Sequence, residues 1–275
     1  MKKILLFYGI FFTALPACTA SINSVYTNKI FNLINYILGR QIPSAKKNNV
    51  SVGYMAMKGD ISDYGQYFSC LKFFADNQNI DLVMLDINSN GGSGATAEII
   101  SDFIQKLKIK KPVIAFIADG CFSAAYWIAA SCSYIIAPPT ATIGSIGTVS
   151  TFTYDKDIVT TFITSGKYKM PAYQQTGELE PKFKDFIQEQ VNQAAEHFFA
   201  SIADQRNIPL EEVRGLEAKW FLAPQALALG LIDQVGTIDA VIQTIVQFAQ
   251  ARGISPCKQI FFIDQNGSKI QAFSL

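Results

Sequence analysis

Two glycine-bearing turns and one serine carry the chemistry that this sequence offers. Ser89-Asn90-Gly91-Gly92 follows the apolar run Leu82–Ile87, and Asp119-Gly120-Cys121-Phe122-Ser123 follows Pro112–Ala118. Paired glycines after a buried strand let the backbone turn sharply and aim N–H groups at a ligand with no side chain in the way. An oxyanion hole requires that, and so does a plain strand-to-helix turn. Ser123 opens the stretch Ala124-Ala125-Tyr126-Trp127, so its hydroxyl stands at the positive end of a helix dipole beside the free N–H of Ala124. Such a serine is either an ordinary helix N-cap or a nucleophile.

A serine nucleophile needs a base, and the chain has a single histidine. His197 has Gln190, Gln193, Ser201 and Asp204 on its own helical face, whereas the apolar stripe runs through Ala194, Phe198 and Ile202. It is expected to face solvent, which leaves lysine as the base to look for. An amine with a reference pKa near 10.4 must fall to roughly 7–8 to accept a proton at neutral pH, a shift of ~4 kcal/mol that burial in an apolar pocket can supply. Lys167 and Lys169, in Ser165-Gly166-Lys167-Tyr168-Lys169-Met170-Pro171, are flanked by apolar segments. Either equally fits a solvated lysine at a strand edge. One histidine cannot build a His-rich metal site, and Cys70, Cys121, Cys132 and Cys257 show no Cys-x-x-Cys spacing. No metal and no cofactor are expected.

The elements that must position these residues alternate. Val50–Met57 reads as a strand, Tyr64 to Asn77 as a helix, Leu82–Ile87 as a strand buried on both faces, and Ala95–Leu107 as a helix. Pro112–Ala118 is the next strand, Ser123–Ser131 a helix, and Tyr134–Ala137 a further strand. That rhythm predicts an α/β fold with a parallel sheet built from right-handed βαβ units. Pro181–Arg206 is the longest helix, with one stripe through Phe183, Phe186, Ile187, Val191, Ala194, Phe198 and Ile202.

With 275 residues and 49% of them hydrophobic, the chain can bury a substantial core. Its 23 basic and 22 acidic residues leave a net charge of +1, which argues against nucleic acid as a partner. Met1-Lys2-Lys3 followed by the apolar run Ile4 to Leu15 has the grammar of a secretory signal. Leu15-Pro16-Ala17-Cys18 also resembles a lipoprotein box with an unusual proline, in which Cys18 would carry lipid. Cleavage after Ala20, lipidation at Cys18 and an uncleaved anchor all place the domain outside the cytoplasm with the membrane nearby. The expected layout is a signal over 1–20, a membrane-proximal linker over 21–48, the main domain over 49–245 and a C-terminal extension over 246–275.

Five motifs then stand in register: Ser89-Asn90-Gly91-Gly92; Ser123-Ala124-Ala125-Tyr126; Gly144-Ser145-Ile146-Gly147-Thr148-Val149; Gly166-x-x-Lys169; and Ala226-Leu227-Ala228-Leu229-Gly230-Leu231-Ile232-Asp233 with Gly236. In this order and spacing the sequence resembles the signal peptide peptidase A (protease IV) family, in its short form. The resemblance implies a Clp protease/crotonase-like fold and a Ser/Lys dyad, with Ser123 as nucleophile and Lys169 as general base. It implies an oxyanion hole from the N–H groups of Gly91 or Gly92 and of Ala124. It further implies a homo-oligomeric ring in which neighbours complete each site, and apolar, unfolded peptides such as signal peptide remnants as substrates at the membrane surface. Two positions depart from the family pattern. Asn90 stands where proline is usual, and Ala124-Ala125 where the family has two glycines, which predicts a narrower pocket with the Ala124 N–H preserved. A catalytically silent scaffold of the same fold and a crotonase-like acyl-CoA enzyme are the alternatives.

Overall fold

The computed structural model describes residues 48–153, 173–174 and 177–274. The apolar runs form β1 (Asn49–Ile61), β2 (Leu82–Gly92), β3 (Val113–Phe122) and β4 (Tyr134–Ala137), and every ladder among them is parallel. Parallel neighbours need crossovers, supplied by α1 (Tyr64–Asp76), α2 (Gly94–Leu107) and α3 (Ala124–Ala130). Local chemistry fixes where the first two begin: Asp63 accepts the N–H of Gly65 ahead of α1, and Ser93 accepts that of Thr96 ahead of α2. This is the parallel-sheet βαβ architecture expected from the alternating pattern.

β3 serves two neighbours in succession. Its first half, Ile114–Phe116, pairs with Tyr134–Ile136, and its last residues, Gly120–Phe122, pair with β5 (Thr142–Gly144). An antiparallel strand, β6 (Trp220–Leu222), closes that side of the sheet on β5, and β7 (Gln234–Val235) pairs with β4. On the other side, β8 (Gln259–Ile263) runs parallel to β1 and carries β9 (Lys269–Ser274) antiparallel to it. The order is β6-β5-β3-β2-β1-β8-β9. The segment 246–275, expected as an extension, therefore adds two strands to the same sheet.

Both faces are covered, which is why the central strands are apolar at consecutive positions. On one face Val83, Leu85 and Ile87 pack with Leu71, Phe74, Ile100, Ile104 and the whole of α3. On the other, Val52, Leu82, Met84 and Ile114 pack with Val241 and Ile245 of α7 (Ile238–Ala251). Truncating a fully buried side chain such as Leu85 to alanine would cost about 2–5 kcal/mol. The long helix α4 (Pro181–Arg206) lies over α3, with Phe198 and Ile202 in the core. Two short helices follow, α5 (Leu210–Gly215) and α6 (Ala223–Ala228).

The segments expected as signal and linker lie outside the described residues, apart from Asn48. Among the described residues no helix is long and apolar enough to cross a membrane, and no group of His, Cys, Asp or Glu is placed to hold a metal ion.

Candidate active site

The C-terminal end of β2 is shaped by glycine. Gly91 has φ +106, and a Cβ there would stand 2.8 Å from the carbonyl oxygen of Phe122, 2.9 Å from Ser123 Cβ and 3.1 Å from Ala124 N. The bare backbone of Gly91 thus lies directly against the start of α3. Gly92, at φ +151, would drive a Cβ into the main chain of Ile61. Both positions demand glycine, one for the approach to Ser123 and one for the approach to β1. Ser89 ties the turn down: its buried hydroxyl donates to the carbonyl of Gly59 at 2.5 Å and accepts the N–H of Gly91 at 3.0 Å.

The two glycine amides differ in their surroundings. The Gly91 amide is buried and already engaged by Ser89. Gly92 is exposed, and Ser93 N donates back to Ile61 at 2.8 Å. Consecutive amides of an extended chain alternate in direction, so the Gly92 N–H points away from β1.

Ser123 sits at a strained strand-to-helix elbow. Its backbone adopts φ 51 and ψ −124, outside the comfortable regions for a residue with a Cβ, at a cost of about 1–3 kcal/mol. Its amide donates to the carbonyl of Gly144 at 2.9 Å, and its carbonyl accepts the N–H of Trp127 at 3.0 Å. Although it holds the N-cap position, its side chain makes no capping bond. The ordinary N-cap reading therefore fails, and the hydroxyl is left for other work. Ser123 is half-buried, whereas all seven residues of α3 behind it are buried.

The alanines that replace the usual glycines point into the core. Ala124 and Ala125 are 2% and 0% exposed and belong to the main apolar cluster, so their methyls do not line an open channel. The N–H of Ala124, at the first helical position, lacks an intrahelical acceptor and stands across from Gly91.

A second loop braces the elbow from the other side. Gly144 has φ +134, and a Cβ there would meet the Lys219 carbonyl oxygen at 2.6 Å and Trp220 Cα at 3.1 Å. Ser145, at φ 51, donates its amide to the same Lys219 carbonyl at 2.9 Å, and a Cβ on Gly147 would touch Ala218 Cβ at 2.9 Å. Glu217 and Ala218 both hold left-handed conformations to present that carbonyl. The sequence gives no sign of this brace, because left-handed residues are normally Gly or Asn.

The Gly-Leu-Ile-Asp motif anchors α3 from below. Tyr126 donates to the carbonyl of Leu231 at 2.8 Å. Arg206 pairs with both oxygens of Asp233, the two side chains being 4% and 2% exposed, and Asp233 also accepts the N–H of Ile135. Burial alone would lower the pKa of the guanidinium, but the adjoining Asp233 carboxylate turns the net shift upward.

His197 faces solvent as expected. Its side chain is 60% exposed, its Nε2 lies 3.0 Å from Glu98 Oε1, and its ring meets the edge of Trp127. No hydrogen bond joins it to Ser123. Lys167 and Lys169 lie outside the described residues. Cys70, Cys121, Cys132 and Cys257 are free thiols, and burial pushes the first three up, Cys70 and Cys132 to about 12. None has the lowered pKa of a reactive cysteine. A shallow depression along α4 lined by Gln188, Glu189 and Asn192, and a cleft of about 290 Å³ beside Tyr67 and Cys70, both leave Ser123 outside.

The strained serine and the glycine turn meet at the carboxyl ends of parallel strands, where the sites of open α/β sheets gather. Residues 105–252, more than half of the chain, match the model of peptidase family S49, and the chain belongs to that family. Protease 4 of Haemophilus influenzae is 27% identical over 204 residues, covering 71% of this chain and 33% of that protein. The head-tail preconnector protein of Enterobacteria phage P21 is 29% identical over 197 residues, covering 69% and 39%. A protein of Enterococcus faecium bearing the name signal peptide peptidase SppA is 26% identical over 240 residues, covering 79% and 69%. The chain thus spans about a third to two thirds of the length of these relatives.

Proposed function

We propose that this chain is a serine endopeptidase in which Ser123 is the nucleophile and Lys169 the general base. The observation that carries the reading is the Ser123 elbow, strained, uncapped and pressed against the backbone of Gly91. In the reaction, neutral Lys169 takes the hydroxyl proton as Oγ attacks a peptide carbonyl. The N–H groups of Ala124 and Gly92 receive the developing oxyanion, each such donor being worth about 3–4 kcal/mol. The proton then passes to the departing amine, an acyl-enzyme remains on Ser123, and water resolves it. Rates rise with pH as the lysine loses its proton near neutrality.

The substrates proposed are cleaved signal peptides and other unfolded, apolar peptides. The relative named as a signal peptide peptidase supports this, and so does the charge-poor composition, with 16% charged residues. The apolar run Ile4 to Leu15 supports export to the outer face of the cytoplasmic membrane or the periplasm, with Cys18 as a site of lipid attachment. A homo-oligomeric ring is part of the same reading. A serine-directed acylating probe tests it: the adduct is expected on Ser123, and absence of any adduct would favour a silent scaffold. Mass spectrometry of the mature N-terminus and a size measurement test the export and ring proposals.

A further inference from the structure

We propose that Trp220, supported by Leu222, is the residue that selects the side chains of the peptide cleaved at Ser123, a proposal that rests on the peptidase reading above. β6 alternates sharply. Phe221 packs inward, whereas Trp220 and Leu222 on the outward face are 62% and 44% exposed. Trp220 and Leu222, two residues apart on one strand face, together form an exposed apolar patch, the kind of surface that marks an interaction site.

The patch lies beside the elbow. Trp220 stands opposite Gly144 in the β5–β6 ladder, and Gly144 is the residue whose carbonyl holds the Ser123 amide. With no side chain at 144 the two backbones meet closely, Trp220 Cα lying 3.1 Å from where a Cβ would be. The indole is therefore rooted one strand spacing, about 4.8 Å, from the end of β5 that holds the Ser123 amide.

The main chain adds a second element of recognition. Ser145 N donates to Lys219 O, and Ala223 N donates to Ala141 O, so residues 219 and 223 turn toward β5. By alternation the N–H and C=O of Trp220 face outward, on a strand that ends the sheet. Leu222 N is taken by the Gln225 side chain at 3.1 Å, which confines strand addition to the Trp220 rung. An extended peptide can bond to that rung and lay an apolar side chain on the indole, the mode in which an exposed sheet edge binds unfolded segments.

The test uses the full chain and two kinds of peptide, one bearing Leu and Phe and one built from Gly and Ala. Trp220→Ala should lower kcat/KM for the first by about 10- to 100-fold and for the second by less than about threefold, the range open to one large apolar contact. Trp220→Phe should restore most of the difference. Equal losses for both peptides, or none, overturn the proposal. Fluorescence gives an independent readout, because the chain has two tryptophans and Trp127 is 4% exposed and stacked on Phe198. Adding the Leu/Phe peptide to the Ser123→Ala variant should shift emission to the blue and reduce quenching by acrylamide, and Trp220→Phe should abolish the response. Emission already blue-shifted without peptide, and dependent on protein concentration, would mean that another copy of the chain covers Trp220, which also overturns it. If the wild type cleaves neither peptide and takes no probe, the peptidase reading has failed, and the emission experiment still decides whether Trp220 receives a peptide.

Discussion

The amide of Ser123 donates to the carbonyl of Gly144 at 2.9 Å, and this bond joins the strand-to-helix elbow to the end of β5. Gly144→Ala should break the arrangement, since a Cβ at φ +134 is strained by about 1–3 kcal/mol and collides with the Lys219 carbonyl. Peptide cleavage is expected to fall more than tenfold while the circular dichroism of the sheet and helices persists. A variant that cleaves at the wild-type rate would show that the end of β5 does not hold the elbow.

Ser89 carries a similar duty on the opposite side. Its hydroxyl bridges Gly59 and Gly91, and Ser89→Ala leaves a buried amide and a carbonyl without that partner, at about 1–3 kcal/mol for a lost buried partner. Denaturant unfolding should register the loss, and kcat should drop with it as the Gly91–Gly92 turn loosens.

Removing one member of the Arg206–Asp233 pair should be more damaging. Asp233→Ala would leave a buried guanidinium unpaired and release the Ile135 amide, with an expected loss of about 3–5 kcal/mol. Urea unfolding measures it directly. A loss under 1 kcal/mol would show that water reaches the site.

The buried thiols set a pH dependence of stability. Burial raises Cys70 and Cys132 to about 12 in the folded protein and also raises Cys121, whereas an unfolded thiol titrates near 8.5. A raised folded pKa favours the protonated form, so the stability is intact below about 8.5 and declines as the pH climbs toward 12. The slope is at most about 1.4 kcal/mol per pH unit for each thiol. Unfolding midpoints should be lower at pH 10 than at pH 8, and less so in Cys132→Ala. Equal midpoints would contradict the burial.

The sequence made the frame of this protein legible and left its fine joinery hidden. Strands such as Leu82–Ile87 and helices such as Pro181–Arg206 announce themselves by apolar runs and periodicity, and both form. The glycine turns looked like loops beyond the strands, yet Gly91 and Gly92 pair with Asp60 and Ile61, and Gly120 pairs with Thr142. Neighbouring strands, not intrinsic preference, make those residues extended. β5, β6 and β7 are only three, three and two residues long, too short for any period to show. Ser123 was visible as a candidate, but its freedom from capping is a fact of three dimensions. Lys169 is indicated by the family resemblance and lies outside the described residues.

In the proposed mechanism Ser123 and Lys169 perform acyl transfer without histidine. The most direct measurement is cleavage of an apolar peptide by the full chain beside Ser123→Ala, Lys169→Ala and His197→Ala variants. Turnover should vanish in the first two, falling by at least about a thousandfold, and remain near the wild-type value in the third. Equal activity in all four proteins, or loss only with His197→Ala, would contradict the dyad.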